Sequence, residues 1–359
     1  MMDGRIQMSD VRSKKPYFWY KNKNKMSKIT LFFLSVLFAV TGFVFCSSCQ
    51  SQKSANKDIV APAYTKISPD FNADSAYSFI GKQVSFGPRV PGTTAHKACG
   101  DYLSAKLAGF GTDVFEQKAN VMHYNGQNIE IRNIIGSYQL EKEKRILLFA
   151  HWDSRPFADE ETDPEKQNKP ISGADDGASG VGVLLEIARQ LQKRPTDVGI
   201  DIIFFDLEDW GQATFDKNYV SGEWWCVGSR YWSENPHTVG YKASYGILLD
   251  MVGAANATFL YEGYSMQHAS NVVSKIWNIA SNLGYGRFFV QRNGSYITDD
   301  HVPIIENRGI PCANIINLKD TYNGFAPHWH THNDDMRNIS KETINAVGQT
   351  VLEMIYREK

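Results

Sequence analysis

Four short apolar runs, "RILLFA" (145–150), "IDIIFFD" (200–206), "YGILLDM" (245–251) and "CANIINL" (312–318), constrain how this 359-residue chain can fold. Each has strand length and is apolar at successive positions, as a strand buried on both faces must be. Segments of helical spacing separate them. "GASGVGVLLEIARQLQKR" places Val181, Leu184, Leu185, Ala188 and Leu191 on one face. "SMQHASNVVSKIWNIASNLGYG" and "SKETINAVGQTVLEMIYREK" behave alike, the latter opening on Ser340 with Glu342 or Thr343 as capping material. Nearer the N-terminus, "DSAYSFIGKQVSF" and "TTAHKACGDYLSAKLAGFG" have helical spacing, and "NIEIRNIIGSY" alternates as a strand. This alternation predicts a three-layer α/β/α fold around a central, mostly parallel mixed sheet, forming one catalytic domain over residues 70–359. No internal repeat and no second domain boundary interrupts it.

The first 69 residues have a different composition. From Met26 the chain reads "MSKITLFFLSVLFAVTGFVFCSSCQSQ", with Lys28 ahead of an apolar run from Ile29 to Phe45. That is the shape of a signal peptide, and the run is nearly long enough for the other reading, a membrane-spanning helix. The Ser47-Ser48-Cys49 ending favours a bacterial lipoprotein signal with a lipid on Cys49, since bulky Phe45 precedes Cys46. Residues 1–49 are therefore expected to be an N-terminal extension and signal, with Met26 rather than Met1 as the start. Residues 50–69 are expected to be a polar tether. The protein would sit in the bacterial cell envelope, lipid-anchored and facing the periplasm, as a monomer. Cys99, Cys226 and Cys312 remain, an odd and widely spaced set that reads as buried thiols rather than a disulfide framework. The formal net charge is −1 and the folded part has no basic stripe, which excludes nucleic acid as a partner.

In open α/β sheets, functional groups collect beyond the carboxyl ends of the strands. Here those ends carry ionisable residues. "HWDSR" supplies His151 and Asp153, Glu208 and Asp209 follow the second run, and the third ends in Asp250. Asp175 and Asp176 precede the helix from Gly177, and the loop after the fourth run carries "HWHTHNDDM" with His328, His330 and His332. Taken singly, Asp176 reads as a helix N-cap, Glu208-Asp209 as a solvated pair and Asp250 as a turn residue. Together they form an oxygen-and-nitrogen donor set that suits zinc. In the adjacent pair, one carboxylate can bind the metal while its neighbour serves as acid or base, its pKa raised by the nearby charge.

The motifs "HWDSR", "GADDGASGVGVLLEIAR", "IIFFDLED", "VGSRYW", "LLDMVGA", "TDDHVPIIENRGIP" and "FAPHWHT" resemble the M28 zinc-peptidase superfamily. Within it, "LLDMVGA", "DDHVPI" and the Trp-His-Thr ending are similar to the glutaminyl-peptide cyclotransferases. The resemblance implies one zinc per chain, held by Asp176, Asp209 and His330, with Asp209 at a position where animal cyclases and most M28 peptidases carry Glu. It implies Glu208 as catalytic acid and base, Asp250 and Asp299 as carboxylates beside it, and Phe325 and Trp329 as aromatic substrate contacts. Among Trp210, Trp224 and Trp225, Trp224 is expected to supply the further pocket indole. The implied reaction closes N-terminal glutaminyl residues of peptides to pyroglutamate with release of ammonia, zinc polarising the γ-carbonyl.

The alternative is a di-zinc M28 aminopeptidase, in which His151 and Asp250 would hold a second metal bridged by Asp176. "DDHVPI" with Asp299 and His301, and Trp329 beside His330, favour the cyclase. A binding protein without activity would be expected to have lost Glu208 or a ligand. Serine-hydrolase and P-loop signatures are absent. Asp153 and Arg155 are expected to pair and hold the "HWDSR" loop. His301 either orients the neighbouring carboxylates or is a satisfied core histidine. His328 and His332 are expected to be loop residues around the single ligand His330.

Overall fold

The computed structural model describes residues 64–319, 321 and 323–359. The expected signal and Cys49 lie outside them. The described chain runs α1 (Ala73–Val84), α2 (Thr94–Gly109), β1 (Asp113–Met122), β2 (Asn128–Tyr138), β3 (Arg145–His151), α3 (Pro164–Gln167), α4 (Ala178–Lys193) and β4 (Gly199–Phe205). It continues through α5 (Val227–Glu234), β5 (Tyr245–Asp250), β6 (Phe259–Tyr261), α6 (Gly263–Asn282), β7 (Phe289–Asn293), α7 (His301–Arg308), β8 (Cys312–Ile316) and α8 (Lys341–Tyr356). Of the expected tether, residues 64–69 lie against α8: Glu353 accepts the backbone N–H of Ile67 and of Ser68.

The main sheet has the order β1-β2-β4-β3-β5-β8. β3, β4, β5 and β8 pair in parallel, while β2 runs antiparallel to both β1 and β4. The four apolar runs are thus the parallel strands. Alternate residues point to opposite faces, and both faces are covered. Ile146, Leu148, Ala150, Ile200, Ile202, Phe204, Ile247 and Leu249 face one core, shared with residues of α1, α2, α4, α6 and α8. Leu147, Phe149, Ile203, Phe205 and Leu248 face the other, with Trp232 of α5 and Ile304 and Ile305 of α7. A strand sandwiched this way cannot alternate apolar with polar, which explains its continuous hydrophobicity.

β1 forms a hairpin arm with β2 at the edge of the main sheet, and the parallel pair β6–β7 forms a small second sheet. β1 leaves alternate side chains open to solvent, so its composition carries little strand signal. Registration decides the position of the site. His151 pairs with Phe205 and Asp250 with Ile316, so the parallel strands end level with one another. Their following loops consequently meet above one edge of the sheet.

Candidate active site and metal centre

Asp176, Asp209 and His330 are all buried, and their ligand atoms lie within 4.8 Å of one another. His330 Nε2 is 3.2 Å from Asp209 Oδ1 and 3.7 Å from Asp176 Oδ2. Among the described residues Asp209 Oδ2 is buried with no hydrogen-bond partner, a costly state for a carboxylate oxygen unless a cation meets it. Two carboxylates and an imidazole converging on one point fit a zinc ion. Asp176 is not the cap of α4; that position belongs to Gly177, which makes no side-chain cap.

Each of these three residues is held by a further carboxylate. Asp334 accepts the backbone N–H of Asp175 at 2.7 Å and of Asp176 at 3.1 Å. Asp153 accepts those of Glu208 and Asp209 at 3.1 and 3.2 Å. Asp159 Oδ1 lies 3.1 Å from His330 Nδ1, which leaves Nε2 turned to Asp176 and Asp209. Burial, with Asp175 and Asp176 adding their charge, pushes the Asp334 carboxyl up to about 8. Asp153 does not pair with Arg155 as the sequence suggested. Two backbone N–H groups and His151 claim its oxygens, while the Arg155 guanidinium forks onto Asp159 at 2.7 and 2.6 Å.

A second buried cluster shares Asp176. His151 Nε2 lies 3.0 Å from Asp176 Oδ1 and 3.2 Å from Asp250 Oδ1. A third brings Glu208, Cys226 and Asp299 within 4.8 Å of one another. Glu208 keeps a partly open face. Burial, reinforced by the charges of Asp299 and Asp209 against the opposing pull of His151, raises its pKa well above the usual carboxylate range. Asn314, the polar residue inside β8, donates to Asp299 Oδ2 at 2.7 Å, and the Asp300 N–H donates to Asp299 Oδ1 at 2.6 Å. His301 is buried and bonded through Nε2 to Glu262 at 3.1 Å rather than to Asp299 or Asp250.

Of the expected aromatic residues, Trp329 and Phe325 lie at His330 and Trp224 lies apart from it. The Trp329 ring stacks on His330 with centroids 3.6 Å apart, and Phe325 packs on Trp329 at 4.4 Å. The second indole beside His330 is Trp225, parallel to it within 7° at 6.2 Å and under the Arg155 guanidinium. Trp224 instead meets His123 and Tyr124 edge-on and donates to the Val220 carbonyl. Trp210 packs on His123. Neighbouring side chains diverge along an irregular loop, so adjacency in sequence could not separate Trp224 from Trp225.

Four residues around the site, Leu207, Cys226, Met251 and His330, have φ between 48° and 56°, the left-handed region that non-glycine residues rarely occupy. Backbone held there beside buried ionisable clusters is the kind of strain that functional sites retain. It also separates the three histidines. The segment around His330 is a turn, not a strand, so His328 swings to Asp175 at 3.0 Å and His332 to Glu161 at 3.0 Å. Asp159, Asp334 and Cys226 carried no sequence signal. Asn314 did, as an amide interrupting an apolar run.

Residues 133–355 match the profile of Peptidase family M28. The fold superposes on the crystal structure of Tannerella forsythia glutaminyl cyclase with a TM-score of 0.80 and 53% identity, covering 81% of this chain and 100% of that one. It is equally similar, by the same measures, to a Zn-dependent exopeptidase from Parabacteroides distasonis. Aminopeptidase YwaD of Bacillus subtilis is 29% identical over 231 residues, 63% of this chain and 44% of that protein, so the match spans less than half of the relative's length. Family profile, zinc-suited donor set and strand-end placement agree: the chain belongs to peptidase family M28.

Proposed function

We infer that the protein is a zinc-dependent glutaminyl-peptide cyclotransferase, converting the N-terminal Gln of peptides to pyroglutamate and releasing ammonia. The observation that carries this reading is the 53% identity spanning the whole of a glutaminyl cyclase, on a site where Glu208 lies beside Asp299 and next in the chain to Asp209.

Asp176, Asp209 and His330 would hold one zinc ion. Bound there, zinc supplies a Lewis acid for the γ-carbonyl oxygen of the substrate Gln. Glu208 takes a proton from the α-amine as the amine nitrogen bonds to the carbonyl carbon (Cδ) of the γ-amide. It returns that proton to the γ-amide nitrogen as the old C–N bond breaks and ammonia leaves. A carboxyl raised by burial and by neighbouring carboxylates is suited to keeping the proton between the two transfers. Asp299 and Asp209 supply part of that negative field, and Asp250 bears on Asp299 in turn. Trp329, Phe325 and Trp225 wall the site, favouring the folded shape of a flexible Gln side chain and keeping water from the amide.

The second reading, a di-zinc aminopeptidase, has one specific observation in its favour: Asp176 belongs to both the Asp209–His330 cluster and the His151–Asp250 cluster, as a bridging ligand would. One experiment separates the two. Purified enzyme is given a Gln-initiated peptide and, separately, an aminoacyl chromogenic substrate. Ammonia from the first and no colour from the second support the cyclase, with zinc near one per chain. Colour without ammonia, with zinc near two, replaces it by the aminopeptidase.

We propose also that a lipid on Cys49 anchors the enzyme, as a monomer, in the bacterial envelope facing the periplasm. Lys28, the apolar run to Phe45 and Ser47-Ser48-Cys49 support this reading. Mass spectrometry of the N-terminal peptide from the native host tests it, and an unmodified Cys49 would remove it.

A further inference from the structure

Cys226 is fully buried and ends the loop leading into α5. Its contacts converge on one residue. The thiol donates to Glu208 Oε1 at 3.2 Å, and the Cys226 backbone N–H donates to the Glu208 carbonyl at 3.0 Å. The next N–H, of Val227, donates to the Leu207 carbonyl at 3.0 Å. Cys226 and Leu207 both sit in the left-handed region, with φ of 56° and 55°. Two strained segments are thus tied back to back, and the tie ends at the Glu208 carboxylate.

We propose that Cys226 is a positioning residue for Glu208, its S–H occupying Oε1 so that Oε2 is the oxygen that takes and returns the substrate proton. The inference rests on the cyclase reading above. A thiol suits the task because it is a weak donor. It fixes the rotation of the carboxylate through Oε1 alone. Burial, with the Glu208 charge beside it, keeps the thiol protonated, so it acts only as a donor.

The test compares Cys226→Ala and Cys226→Ser in the zinc-loaded full-length enzyme, alongside wild type, with melting temperature and zinc content recorded. Loss of one hydrogen bond to the reacting carboxylate should lower kcat by about tenfold in C226A with KM within about twofold. C226S, which restores a donor, should recover most of that loss. In infrared difference spectra against C226A, the Cys226 S–H stretching band should shift in Glu208→Gln. Wild-type kcat in C226A, equal losses in both variants that track lost zinc or stability, or an S–H band indifferent to E208Q would each overturn the inference. A wild-type enzyme that makes no pyroglutamate would overturn the cyclase reading and, with it, this role.

Discussion

Asp159 Oδ1 stands 3.1 Å from Nδ1 of His330 while both Asp159 oxygens are gripped by the Arg155 guanidinium. Burial alone would raise this carboxyl, yet the bonds from Arg155 and His330 hold it far below the ordinary range. It is therefore an anion that fixes which imidazole nitrogen faces Asp176 and Asp209. Asp159→Asn should weaken zinc binding roughly tenfold to a hundredfold, measured by competition with a chromogenic chelator. Asp159→Ala should also destabilise the fold by about 3–5 kcal/mol, because it leaves the Arg155 charge buried without its partner. Unchanged zinc affinity in D159N would show that Asp159 serves only Arg155.

Glu208→Gln keeps the side chain's size and removes its proton chemistry. Cyclisation should fall by about a hundredfold to ten-thousandfold in kcat, with zinc content unchanged, since Glu208 lies outside the Asp176–Asp209–His330 set. A parallel loss of zinc would instead make Glu208 a ligand.

The junction ahead of α4 has no room for a side chain. A Cβ on Gly177 would lie 2.5 Å from the His151 carbonyl oxygen and 2.7 Å from His151 Nδ1. Gly177→Ala should push Asp176 and His151 apart, with lost zinc affinity and a cost of roughly 1–3 kcal/mol in chemical denaturation. A crystal structure of G177A with Asp176 in its original place would contradict the argument.

Glu262 caps α6, accepting from the N–H groups of Tyr264, Ser265 and Ile297, and bonds His301. Burial opposes its ionisation, but these bonds, His301 first, outweigh it and bring the carboxyl from 4.5 to about 2. A depressed folded-state pKa stabilises fully above 4.5 and is lost as the pH falls towards about 2. Across that window the stability difference between wild type and Glu262→Gln should shrink by about 3 kcal/mol, read from denaturant midpoints at a series of pH values. A constant difference would mean that Glu262 acts by shape alone.

The sequence by itself determined the parallel strands, because a strand covered on both faces must be apolar at every position, as Leu147–Phe149 and Ile202–Phe205 are. It determined the strand-end placement of His151, Asp176, Glu208, Asp209 and Asp250, because parallel strands fed by helical crossovers bring their carboxyl ends to one edge. It determined the α/β class without β1, whose half-exposed residues carry little pattern.

Only the tertiary structure decided the partners. Asp159, Asp334 and Cys226 act through hydrogen bonds to residues 171, 158–159 and 18 positions away, distances over which neither helix nor strand period carries information. The same holds for the indoles. Trp224 and Trp225 are equivalent as letters, and a loop whose backbone follows no period sends one to His123 and the other to His330. "HWHTHNDDM" offered three histidines to a metal. The left-handed φ of 53° at His330 and the separate carboxylates facing His328 and His332 leave one of them pointing at Asp176 and Asp209.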